Sequence, residues 1–158
     1  MAFIAGDITP LLDNHDPVAN NVYVTASATF SSSVKTILVI AGEHGDNSDG
    51  TLGYGTPVTT GVDWTLADDG TTTAQVASTN NVALRVYEGT VNTPGTYTTT
   101  ISFPAVQDQC SWYLFELTNS GSIINIKTNT QSSTTAPTVT LDSTITSGNL
   151  AFSFHASE

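Results

Sequence analysis

Basic residues are the scarcest chemical group in this 158-residue chain, which has three of them against 14 acidic residues and a net charge of −11. The three are Lys35, Arg85 and Lys127, which lie far apart in the sequence. Phosphate binding requires clustered basic side chains, so the sequence argues against nucleic acid and anionic membranes as partners. Charged residues of both signs make up only 11% of the chain, against about 25% in an ordinary soluble domain.

Cysteine and long apolar runs are nearly absent as well. Cys110 is the only cysteine, so no disulfide can form within the chain, and its apolar surroundings predict a small buried thiol. No apolar run is long enough to cross a bilayer. The first residues lack the basic and apolar regions of a signal peptide, so we expect a protein made in the cytoplasm.

No pattern of residues predicts a catalytic centre, a bound metal or a cofactor. His15, His44 and His155 are too scattered for a zinc site. Residues 46–50 (DNSDG) resemble part of a calcium loop, but its first and last ligand positions hold no carboxylate. Glu88 and Glu116 could be imagined as a glycosidase pair, yet both lie at predicted strand ends, where solvated carboxylates are common. We therefore expect a protein that is not an enzyme.

Short stretches with the character of β-strands dominate the chain instead. They cover residues 22–30, 34–41, 62–66, 71–78, 82–88, 96–103, 109–118, 122–128, 138–141 and 150–155. In the first of them, Val22 and Val24 are predicted to face the core. Residues 42–61 are predicted to form a long loop, because they are rich in Gly, Asp and Asn. The pattern predicts an all-β fold, a single jelly-roll-like β-sandwich of about ten short strands.

Two of these strands are apolar on both faces. Residues 34–41 contain four consecutive large aliphatic side chains, and residues 109–118 carry aromatic or aliphatic side chains on each face. A half-solvated strand would alternate apolar with polar residues, so both strands must be covered on both sides. One cover is the core, and the other is predicted to be a returning loop or another subunit. This second cover favours a homo-oligomer, with a trimer preferred.

Residues 1–21 are predicted to be a lead-in to a sandwich domain at residues 22–158. Pro10, Pro17 and repeated aspartates interrupt any regular element. Two alternatives remain: an irregular segment packed on its own domain, or an arm that binds a neighbouring subunit. The arm would leave thermal stability almost unchanged when deleted. Its interface residues would be the large apolar ones, Phe3, Ile4, Ile8, Leu11 and Leu12.

The order of strand motifs resembles a known group of proteins. W-T-L at 64–66 is followed by A-L-R-V-Y at 83–87, a Thr-rich strand ending in Phe103, C-S-W-Y-L-F-E-L at 110–117 and P-T-V-T-L-D at 137–142. This order resembles the jelly-roll or immunoglobulin-like β-sandwich modules of tailed-phage virion proteins, such as capsid decoration and tail-associated proteins. The resemblance implies a structural role without catalytic residues, often as a trimer clamped on a capsid lattice.

The expected function is therefore that of a bacteriophage capsid decoration or cement protein. Such a virion protein would stabilise the shell through contacts with itself and with the major capsid protein. The alternative function is a carbohydrate-binding module on a phage tail or cell surface. Aromatic side chains that could stack on sugar rings in that case are Tyr54, Trp64 and Tyr87.

Overall fold

Ten β-strands make up most of the part of the chain that the computed structural model describes, residues 8–32, 35–44, 55–67 and 81–118. They are β1 (Ile8–Asp16), β2 (Asn20–Val24), β3 (Ala28–Phe30), β4 (Lys35–His44), β5 (Thr56–Thr59), β6 (Val62–Leu66), β7 (Asn81–Val91), β8 (Gly95–Tyr97), β9 (Thr99–Gln107) and β10 (Gln109–Leu117). The all-β prediction is confirmed. The strands predicted at 71–78, 122–128, 138–141 and 150–155 lie outside the described residues.

The ten strands pair in a nested order. β1 pairs with β10, β2 with β9, β3 with β8, β4 with β7 and β5 with β6, and every pair is antiparallel. This part of the chain therefore forms one long double strand, whose tip is the two-residue turn between β5 and β6. Gly61 in that turn has a φ of 72°, a backbone conformation that glycine adopts without steric cost.

Three further pairings roll this double strand into a jelly roll. β10 also pairs with β4, β9 with β5, and β6 with β7. The resulting order is β1-β10-β4-β7 followed by β6-β5-β9-β2. We call the first four strands the front layer and the last four the back layer. A double strand rolled into two layers in this way has the predicted jelly-roll topology.

The main core lies between the two layers. The side chains that fill it come from both of them, and the most deeply buried are Tyr23, Phe30, Leu38, Ile40, Ile101, Cys110 and Leu114. The layers approach closely at Gly42 of β4, where an added Cβ would lie 2.6 Å from the ring of Phe103. β3 and β8 form a separate pair, from which Phe30 packs against the rings of Trp64 and Tyr97.

The outer face of the front layer carries a second apolar cluster, which we call the outer cluster. Ile37 and Val39 of β4 and Phe115 and Leu117 of β10 are each at most 7% exposed. Both strands predicted to be apolar on two faces are therefore buried on both faces. This burial is present in a single chain, so a second subunit is not required to cover these side chains.

The N-terminal segment is a strand where the sequence predicts irregular structure. Residues 8–16 form β1, which pairs with β10 from Ile8 opposite Leu117 to Asp16 opposite Cys110. The interruption expected at Pro10 is reduced to a shift in register between Pro10 and Leu12. Within the described residues β1 is the last strand of its layer, and proline is tolerated in edge strands because one side of such a strand donates no ladder hydrogen bonds.

The apolar residues of this segment pack within their own chain. Leu11 and Leu12 lie against the main core, and Ile8 lies against the outer cluster. All three are only partly buried, so their predicted role as an interface with a neighbouring subunit stays a prediction. Phe3 and Ile4, predicted for the same role, lie outside the described residues.

The predicted orientation of β2 is also wrong. Tyr23 is 2% exposed, whereas Val22 and Val24 are 41% and 58% exposed. The chain leaves the strand at Thr25, whose Oγ1 accepts a hydrogen bond from the Thr99 amide at 3.0 Å. This break between β2 and β3 shifts the inward-facing positions by one residue. The inward-facing residues have odd numbers in β2 and even numbers in β3. The core-facing residues of β3 are consequently those that the sequence predicts.

Candidate functional site

The outer face of the back layer is the most distinctive surface of the described residues. Two rows of side chains cross β2, β9 and β5 in register, and we call their six residues the valine face. The first row is Val24, Thr100 and Val58, and the second is Val22, Ser102 and Thr56. None of the six carries an ionisable group, although the whole chain has a net charge of −11.

The alternation of each strand places these side chains outward. In β5, Pro57 and Thr59 are buried while Thr56 and Val58 are exposed. In β9, the buried residues Thr99, Ile101 and Phe103 alternate with half-buried ones. The valine face therefore results from the period-two geometry of strands whose other face fills the core.

Three valines are exposed on this one face. Val24 is 58% and Val58 is 64% exposed, and Val22 on the same face is 41% exposed. Single exposed valines are common, but several aligned across adjacent strands form a patch, and exposed apolar patches mark interaction sites. Sequence reasoning missed this surface because it turned β2 inward and placed β5 inside a loop.

The two carboxylates considered as a catalytic pair, Glu88 and Glu116, make structural contacts and lie on opposite faces of the front layer. Glu88 forms an ion pair with Lys35. Glu116 is 6% exposed and accepts a hydrogen bond from the Ser31 amide at 2.7 Å. Glu88 shares a face of the front layer with the outer cluster, while Glu116 shares the opposite face with Leu114. Two carboxylates on opposite faces of a sheet cannot flank one glycosidic bond.

Of the residues considered for metal binding, only His15 and His44 lie in the described part of the chain. Within the described residues, no group of three or more His, Cys, Asp or Glu side chains is placed to hold a metal ion. The imidazole Nδ1 of His15 lies 3.0 Å from the hydroxyl of Ser111 on the neighbouring strand. Residues 46–50 and His155 lie outside the described part of the chain.

Two of the aromatic residues proposed for sugar stacking, Tyr87 and Trp64, pack against the main core. Tyr87 is 8% exposed and its hydroxyl donates to the carbonyl of Gly55 at 2.8 Å. Trp64 packs on the main core, donates to Thr59 at 3.0 Å, and lies directly opposite Gly89, whose missing side chain leaves room for the indole ring. Tyr87 is buried and is not available to a sugar. Trp64 is only partly buried, so its stacking role stays a prediction, and Tyr54 lies outside the described residues.

Cys110 is a buried structural residue, as the sequence predicts. Its side chain is 0% exposed. Burial, with a smaller contribution from Asp16, raises the pKa of the thiol from 9.0 to about 12. The reactive species of a cysteine is the thiolate, so this side chain is a poor nucleophile at neutral pH.

The raised pKa of Cys110 predicts a loss of stability in alkali. Above pH 9 the unfolded chain releases the thiol proton and the folded chain retains it, so the free energy of unfolding falls as pH rises towards 12. The slope should approach about 1.4 kcal/mol per pH unit for this one proton. Urea unfolding at pH 8 to 10 measures it.

A cysteine variant separates this effect from that of Tyr23, whose pKa burial also raises above its ordinary value of 10.0. Tyr23 contributes mainly above pH 10, so Cys110→Ala should lose most of the slope between pH 9 and 10. If the slope in that interval is the same in the variant as in the parent, the assignment to Cys110 is wrong.

Comparison of the chain with protein-family models, with curated proteins and with solved structures found no match. The function must therefore be argued from the fold and the surface of the chain itself. In the described residues, no helix is long and apolar enough to span a membrane.

Proposed function

We propose that this chain is a non-enzymatic structural protein of a virion, and specifically a capsid decoration or cement protein of a bacteriophage. Its partners would be the major capsid protein and further copies of itself. The observation that supports this role most is the jelly-roll topology of five nested strand pairs. Jelly rolls are recurrent architectures of viral capsid proteins and of lectins.

The surface of the domain favours the first of these two classes. Sugar stacking uses accessible aromatic rings, and of the rings considered for it Tyr87 is buried and Trp64 is partly buried against the main core. What the domain does offer to solvent is the uncharged valine face. Sugar hydroxyls are recognised by polar and aromatic groups, whereas an apolar sheet face suits a protein partner.

The mechanism would be stabilisation by binding. A protein that binds the assembled shell and not its separated subunits shifts the equilibrium towards the shell by mass action. No reaction is required, which agrees with the structural contacts made by Glu88, Glu116 and Cys110. The second apolar faces of β4 and β10 are already buried in one chain, so they no longer supply a reason for a trimer.

Co-sedimentation with purified phage capsids tests this function. We expect saturable binding of the protein to assembled shells, with the bound shells releasing their contents at a higher temperature than bare shells. A glycan array run in parallel should show no binding. Binding to glycans without binding to capsids from a panel of tailed phages would overturn the proposal.

A further inference from the structure

We draw no further inference here: the strongest candidate, the valine face across β2, β9 and β5, exposes three valines on an uncharged surface, but nothing in the described part of the structure shows what covers it.

Discussion

Removal of residues 8–16 should unfold the protein. The deletion takes away a whole strand of the front layer and leaves the ladder hydrogen-bonding groups of β10 along that edge without a partner. It also removes Leu11 and Leu12 from the main core and Ile8 from the outer cluster. Leu11 and Leu12 are partly buried, so each is worth about 2 kcal/mol, the lower end of the range for leucine. Together with the lost strand pairing, these losses approach the total stability of a domain, about 5–15 kcal/mol.

Circular dichroism and urea unfolding of the deletion variant measure this effect. We expect loss of the cooperative transition and a protein that aggregates or is degraded. Leu12→Ala keeps the backbone pairing and should cost about 2 kcal/mol, while the exposed neighbour Asp13→Ala should change stability by less than about 0.5 kcal/mol. The irregular-arm interpretation predicts the opposite result, a folded deletion variant with an unchanged melting temperature.

Phe115→Ala should lower the free energy of unfolding by about 3–5 kcal/mol. The side chain is 1% exposed, and its ring packs on that of Tyr113 at a centroid distance of 5.2 Å. Because the outer cluster is buried within one chain, the loss should be the same at low and high protein concentration. Val58→Ala on the exposed valine face is the control and should change stability by less than about 0.5 kcal/mol.

Guanidinium unfolding of both variants over a hundredfold range of protein concentration checks this prediction. A destabilisation by Phe115→Ala that grows with protein concentration would mean that a second subunit covers the outer cluster. In that case the sequence-based reason for an oligomer would be restored, and the cluster would be an interface.

The parts of the fold that the sequence predicts are those with a strong periodic signal. β4 and β10 contain continuous apolar runs, and the need to bury both faces can be read directly from them. The start of β10 at Gln109 is as predicted, whereas the stretch predicted as one strand at 96–103 is divided between β8 and β9, and β9 continues to Gln107. The jelly-roll topology depends on which distant strands pair and in which register. The sequence shows the composition and the order of the strands, but it does not show that register.

The missed elements have weak or contradictory local signals. β1 contains a proline and three residues that favour turns, and only its pairing with β10 makes it a strand. β5 is four residues long and is surrounded by glycines, so its local composition indicates a loop. In β2 the choice between valine and tyrosine as the inward residue depends on the break at Thr25, which no periodicity reveals.

The sequence does not predict the valine face, because β2 and β5 are two of these missed elements. Val22 and Val24 belong to β2, whose predicted orientation is wrong, and Val58 belongs to β5, which the sequence predicts as part of a loop. The sequence does predict correctly that Cys110 is buried. A surface formed by register across three strands is a tertiary property, so it becomes visible only when the pairings of β2, β9 and β5 are known.

Thiol labelling of single introduced cysteines tests most directly the central claim, that one chain buries its outer cluster and keeps the valine face for its partners. Cys110 is buried and contributes little background. Val24→Cys should react with a thiol reagent as fast as an unfolded peptide, and Ile37→Cys, at a position 4% exposed, should be slower by at least about a hundredfold. Adding purified capsids should protect Val24→Cys. Rapid labelling of Ile37→Cys in the monomer, or unchanged labelling of Val24→Cys when capsids are bound, would contradict the account.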